Sequence, residues 1–204
     1  MKRLLGRIYS LSGVVYVPKE TLEDERLILH VSDTPSSLYG TLEKLIHKIQ
    51  PTYIVHTGNF ADNLLKSSTK HDQSTYLKSI QRLISIFENS SALEIYGVYG
   101  HLDNPELLND NASRITWVED YTDLTIDDIK LRISHYPRYA LSSEADISLF
   151  GHNLDILSYV SQNATYLNGV ESIHVIAPLS KHITHLDYPI GTQDTRQKAI
   201  QISI

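Results

Sequence analysis

Groups able to bind a cation or move a proton recur in this chain at the ends of short apolar runs. Asp33 follows the run 27–31 in Ser32-Asp33-Thr34-Pro35. Asn59 and Asp62 follow the run 53–55 in Thr57-Gly58-Asn59-Phe60-Ala61-Asp62. His101 and Asp103 follow the run 93–99 in Gly100-His101-Leu102-Asp103. His135 follows Ser134, and His152 follows Phe150 in Gly151-His152-Asn153-Leu154. Carboxylate, amide and imidazole are ligands for divalent cations that activate water and polarise phosphoryl oxygens. No single local motif assembles such a site, so its ligands must come together from several loops. Loops at strand C-terminal ends are where α/β folds place their chemistry.

The elements that must position these groups can be read from periodicity. Residues 27–31 form a continuous apolar run, as a buried parallel strand does. Leu42, Leu45, Ile46 and Ile49 make a helical stripe over 38–49, ended by Pro51. A strand at 53–55 follows, then a helix over 76–87 carried by Leu77, Ile80, Leu83, Ile84 and Phe87, then a strand at 93–99. The second half reads as β-rich, with strands at 115–118, 124–126, 129–134, 147–150, 166–167, 173–176 and 199–204. Asp127-Asp128 and Asn168-Gly169 are expected to be hairpin turns, the second on the stronger signal. Residues 14–17, before Pro18, are expected as an edge strand, and 20–26 as a turn or short helix. Residues 1–26 therefore read as an N-terminal extension and 27–204 as one domain, an α/β sandwich of two sheets with helices outside.

Composition excludes several functions. A chain of 204 residues fits one domain, and 41% apolar with 21% charged residues is ordinary for a globular protein. The net charge of −6 leaves no basic footprint for nucleic acid. There is no Cys, so neither disulfides nor thiolate chemistry operates. No apolar run approaches a membrane span or a signal peptide, so a cytoplasmic location is the expectation.

Taken together, the motifs resemble the calcineurin-like metallophosphoesterases, in particular the small bacterial and archaeal members. That family reads Asp-x-His, Gly-Asp, Gly-Asn-His-Asp, a lone His and Gly-His-x-His after successive strands. The matching segments here span residues 27–204. The resemblance implies the family's α/β/β/α sandwich, with Asp33, Asn59, His101, His135 and His152 at metal-ligand positions. It implies catalytic roles for Asp33, Asn59 and Asp103, the last holding a loop or a neighbouring His. The departures are as informative. Asn59 stands for the bridging carboxylate and His101 for the asparagine ligand. Pro35 and Leu154 stand where two His ligands belong, and Leu102 where a His contacts the substrate. One metal position thus loses most of its ligands. The other retains His101, His135 and His152, and three imidazoles with an open fourth position suit zinc. The resemblance implies zinc, manganese or iron, as one ion or none.

Two functions follow as expectations: a divergent phosphomonoesterase or phosphodiesterase of restricted scope, or a non-catalytic scaffold or ligand-binding protein on the same fold, as in the retromer subunit. The first takes a phosphate-ester small molecule. The second takes a protein partner, for which 13 Tyr against 3 Phe is suggestive. Of the remaining groups, His30 and His56 are expected to be packed and hydrogen-bonded, and His182 to Asp187 to form a polar surface loop. Lys181, Arg138 and Arg196 are basic residues that could meet a phosphate but are expected to be solvated.

Overall fold

The computed structural model describes residues 14–23, 26–62, 64 and 70–196. The chain runs β1 (Ile28–Val31), α1 (Tyr39–Ile49), β2 (Tyr53–His56), α2 (Lys70–Glu88), β3 (Glu94–Val98), α3 (Pro105–Asn111) and β4 (Ile115–Val118). It continues through β5 (Tyr121–Ile126), β6 (Ile129–Ser134), α4 (Pro137–Leu141), β7 (Ile147–Phe150), β8 (Tyr159–Val160), β9 (Thr165–Asn168), β10 (Ile173–Ala177) and β11 (His182–Leu186). The first sheet has the order β11-β10-β1-β2-β3-β4 and the second β5-β6-β7-β9-β8. Neighbours from β1 to β4 are parallel, as are β6, β7 and β9. The C-terminal ends of β1, β2 and β3 therefore share one edge, and those of β6 and β7 share another.

Alternation along the strands separates two cores. Leu29 and Val31 of β1 join Ile54 and Ile95 in a cluster that also holds Leu42, Leu45, Ile46 and Ile49 of α1 and Ile80, Leu83 and Phe87 of α2. Ile28, Val55 and Val98 face the other way, against Leu131, Ile133, Leu149 and Leu167 of the second sheet. On the far side, Ala140 of α4 packs with Phe150 and Tyr166. The layers are thus α/β/β/α. Helix α1 stops where Gln50 turns left-handed (φ 46°) and its N–H donates to Ile46 O, with Pro51 next.

Several elements differ from the periodicity reading. Asn168-Gly169 is not a hairpin, because β9 lies in the second sheet and β10 in the first. The Asn168 side chain is taken up by this crossover: Nδ2 donates to Asn153 O (2.6 Å) and Ile156 O (2.8 Å), and Oδ1 accepts from Val170 N–H (2.8 Å). Residues 182–186 are not a loop but β11, an edge strand whose Thr184 and Leu186 are buried. Residues 14–17 form no strand, yet Val15 and Val17 are buried in the first core. The short α3 has a legible start that periodicity overlooks, Asn104 capping Leu107 N–H (3.2 Å) ahead of Pro105. The Asp127-Asp128 turn does join β5 to β6, with Ile126 opposite Ile129. The expected strand 199–204 lies outside the described residues. Among the described residues no helix is long and apolar enough to cross a membrane.

Leu83 is fully buried and Leu93 is 76% exposed. Leu83→Ala is therefore expected to cost about 2–5 kcal/mol of unfolding free energy through lost burial and a residual cavity. Leu93→Ala should change it by less than about 0.5 kcal/mol. Urea denaturation of both variants checks this, and equal losses would place the core elsewhere.

Candidate metal centre

Five loops meet at the common edge of the two sheets, and backbone strain marks where they do. Asp33 (φ 48°), Asn59 (φ 59°) and His152 (φ 79°) are non-glycine residues in the left-handed region. Such conformations persist only where surrounding bonds over-determine them. Gly58 (φ 97°) sits against His135, and a β-carbon there would strike the imidazole.

The bonds that hold these turns run through three carboxylates and one amide. Asp103 is buried and accepts from three backbone N–H groups: Asn59 and Gly100 on Oδ2 and Phe60 on Oδ1, each at 2.8 Å. It clamps the β2 loop to the β3 loop. Burial pushes its carboxyl up to about 6, against the pull of those N–H donors. Asp33 accepts from Asn59 Nδ2 (2.8 Å) on Oδ1, and from Ser32 Oγ (2.5 Å) and His152 N–H (3.0 Å) on Oδ2. The Asn59 amide also donates to Asp62 Oδ1 (3.2 Å), while its Oδ1 accepts from Leu102 N–H (3.1 Å). That last bond fixes which end of the amide faces the acids.

Beside this cluster stand three imidazoles. One ring nitrogen from each of His101, His135 and His152 lies within 4.8 Å of the other two, and the ring centroids are 5.0–5.5 Å apart. His135 is fully buried, and its Nδ1 is 2.7 Å from Thr57 O. A carbonyl can only accept, so Nδ1 carries a proton, and in the neutral ring Nε2 is the nitrogen that can ligate. That Nε2 is 3.2 Å from His101 Nδ1, close to the ~3.3 Å between two ligands of a tetrahedral ion with bonds of ~2.0–2.1 Å. His152 Nδ1 is buried without a hydrogen-bond partner. Burial, then His135, lowers the His152 pKa against the opposing pull of Asp33, so the ring is favoured in its neutral, ligating form. An orphaned imidazole nitrogen and a fixed tautomer on its neighbour fit a single cation.

A second cation fits poorly. Asp33 and Asn59 point their polar atoms at one another, at Asp62 and at backbone N–H groups. Pro35 is buried at the entry to the turn 36–38, and Leu154 is 39% exposed. The structure thus brings His101, His135 and His152 into one cluster and places Asp33, Asn59 and Asp103 in the adjoining hydrogen-bonded network.

Arg196 holds a place that its sequence context does not signal. Instead of being solvated it is 1% exposed, donating through Nε to Asp33 O (2.6 Å), Nη1 to Val170 O (2.8 Å) and Nη2 to Ser32 O (2.8 Å). Its guanidinium lies 4.2 Å from the Tyr188 ring centroid. More than 160 residues separate it from the Asp33 loop, so only the fold reveals the pairing. His56 and His30 are buried and bonded, His56 Nε2 to Thr34 Oγ1 (2.7 Å) and His30 to Thr57 Oγ1 and His174 Nδ1 (both 3.0 Å). Burial drives the His30 pKa down to about 3, so that ring is neutral.

No protein-family model matches the sequence, and no curated protein is a significant match. Solved structures do align with the fold. A novel archaeal phosphodiesterase superposes with a TM-score of 0.53 at 17% identity, over 79% of this chain and 99% of its own. YfcE, a phosphoesterase from E. coli, gives 0.54 at 15% identity, over 80% and 99%. Vacuolar protein sorting 29 from Cryptosporidium parvum gives 0.45 at 14% identity, over 80% and 87%. The two-sheet α/β/β/α sandwich of this chain is the calcineurin-like metallophosphoesterase fold.

Proposed function

We propose that this protein is a phosphoesterase that works with one divalent cation, held by His101, His135 and His152, in place of the two that the fold commonly carries. The observation that carries the reading is the convergence of three imidazoles, each offering a ring nitrogen within 4.8 Å of the other two. The phosphoesterase and phosphodiesterase with which the fold aligns supply the substrate class by analogy. A zinc, manganese or iron ion bound there would supply Lewis-acid polarisation of a phosphoryl oxygen and a water of lowered pKa.

The chain's own groups do the positioning. Thr57 O takes the Nδ1 proton of His135 and so turns Nε2 towards His101 Nδ1. Asp33 holds the backbone of His152 in its strained turn. Asp103 ties the loop of His101 to that of Asn59. Asp33, Asn59 and Asp103 therefore act as positioning groups behind the imidazoles. Leu102 offers no proton donor, and this restricts turnover to esters with good leaving groups, including activated diesters.

Elemental analysis of the purified protein should find about one equivalent of zinc, manganese or iron, lost when His101, His135 and His152 are all replaced by Ala. The loaded wild type should hydrolyse bis(4-nitrophenyl) phosphate at a rate at least ten-fold above His135→Ala. No metal, and none taken up on dialysis against these ions, would sink the catalytic reading and leave the non-catalytic one.

Asp62 gives a pH signature. Burial, then Asp33, raises its carboxyl to about 8 from an ordinary 3.8, opposed by Arg196 and by the Asn59 hydrogen bond. The folded chain keeps a proton that the unfolded chain releases above pH ~4, so the stability attached to neutral Asp62 is complete below pH ~4 and is lost as the pH rises towards ~8. Asp62→Asn cannot titrate. In chelator-treated protein its unfolding free energy should gain on wild type steadily between pH 5 and 8, by at most ~1.4 kcal/mol per unit. A difference that is flat with pH in urea melts would show that Asp62 is ionised throughout.

A further inference from the structure

Three histidines on neighbouring strands stand in register across the first sheet. His30 of β1 lies opposite His174 of β10, and His174 opposite His185 of β11. The rings of His30 and His174 stack at 5.2 Å, and His185 meets His174 edge-on at 4.9 Å. His30 and His174 are fully buried and His185 is exposed, so the row runs from the core out to the edge of the sheet.

The contact in the middle sets how many protons the row can hold. His30 Nδ1 and His174 Nδ1 are 3.0 Å apart, with room for one proton between them. His30 Nε2 has Thr57 Oγ1 and His174 Nε2 has Ser172 Oγ, both at 3.0 Å, and Ser172 Oγ is 3.4 Å from His185 Nδ1. Two neutral rings share the inner proton with every nitrogen bonded. One further proton leaves a buried cation, and a second sets two N–H groups head to head. Nothing nearby offsets that charge. Burial opposes it at both rings, and at His174 the neighbours His30 and His185 oppose it as well. On β2, His56 feels His30 and is likewise buried and held neutral. Gly169, from the crossover between the sheets, closes over His30 and brings no charge. Among the described residues no carboxylate acts on either buried ring.

Strand β11 is the element able to yield. It lies at the edge of the sheet and pairs with β10 alone, and elements with few partners open first. Its departure lets water reach His174, where an imidazole takes up a proton below its ordinary pKa near 6.5. β11 also leads into residues 187–196, from which Tyr188 Oη donates to Gly169 O (2.6 Å) and Arg196 donates to Ser32 O and Asp33 O. Release of the strand therefore slackens the support of the Asp33 turn. We propose that His30, His174 and His185 form an acid-operated latch on β11: the neutral row holds the strand against β10, and protonation of His174 releases it. Above pH ~6.5 neither the closed nor the open form carries the extra proton, so the latch is complete. Below it the open form binds a proton that the closed form excludes, and opening rises about ten-fold per pH unit.

Hydrogen–deuterium exchange read by mass spectrometry tests this on the full, chelator-treated chain between pH 7.5 and 4.5, after correction for the intrinsic pH dependence of amide exchange. Protection of residues 182–186 should be constant above pH ~6.5 and then fall, by about a hundred-fold at pH 4.5, with residues 187–196 following. The amides of β6, in the second sheet, should stay protected until the whole protein unfolds. His174→Gln keeps an amide for Ser172 and cannot titrate, so it should flatten the β11 profile. His182→Gln, on the other face of the same strand, should leave the profile as in wild type. The latch is overturned if β11 of the wild type loses protection no earlier than β6, or if the slope survives in His174→Gln. The wild-type comparison of the two strands decides the matter even where His174→Gln fails to fold.

Discussion

Everything at the functional edge of this protein depends on how Asp33, Asp62 and Asp103 are seated together, each no more than 2% exposed. Burying a carboxylate without partners costs several kcal/mol, and clustering three of them adds repulsion. This chain answers with three different devices. Asp103 is solvated by three backbone N–H groups. Asp33 accepts from an amide, a hydroxyl and a further N–H. Asp62 shares the Asn59 amide and retains a proton, its carboxyl lifted to about 8. Behind them Arg196 brings a buried positive charge onto the backbone of the Asp33 turn. Its field opposes the rise at Asp62, so it acts on the acids electrostatically without contacting their oxygens.

That arrangement explains why an amide at position 59 is consistent with its surroundings. A carboxylate there, as in the two-metal members the sequence resembles, would face Asp33 and Asp62 with no donor between them and would need a cation. The amide supplies donors to both acids and an acceptor for Leu102 N–H. On the polar side internal hydrogen bonds take up Asp33, Asn59 and Asp103, while Asp62 Oδ2 is buried without a partner. On the imidazole side His101 is exposed, His135 Nε2 meets His101 Nδ1 (3.2 Å), and His152 Nδ1 is buried without a partner.

The sequence made much of this legible because strand ends and ligand types coincide. The runs before Asp33, Asn59, His101, His135 and His152 are all strands, and parallel pairing brings their ends together. The α1 and α2 stripes face the first core as their spacing predicts. What could not be read depends on long-range partners. Asn168-Gly169 carries a hairpin signature, but its amide is claimed by residues 153 and 156 of a neighbouring loop, and the chain crosses between sheets instead. The segment 182–186 is polar along one side because it is an edge strand, and polarity alone reads as loop. Arg196 resembles any solvated arginine until the fold closes over it. Asp33 and Asn59 have the residue types of ligands, and nothing in their local sequence reveals that each is the other's partner.

The same reasoning separates the two groups of histidines. His30 sits opposite His174 across β1 and β10, and His174 opposite His185 across β10 and β11. Thr57, His30, His174 and Ser172 bond in a chain at 3.0 Å per step. Each imidazole in that chain has a partner for both nitrogens, and burial keeps both rings neutral. A neutral imidazole with one donor and one acceptor satisfied needs nothing further, so these histidines contribute internal order. His152, by contrast, has one nitrogen with no partner inside the protein. Residue type is the same in the two groups, while burial is complete at His30, His174 and His135 and falls off through His152 to the exposed His101. What distinguishes a structural histidine from a prospective ligand here is whether every lone pair already has a proton pointed at it.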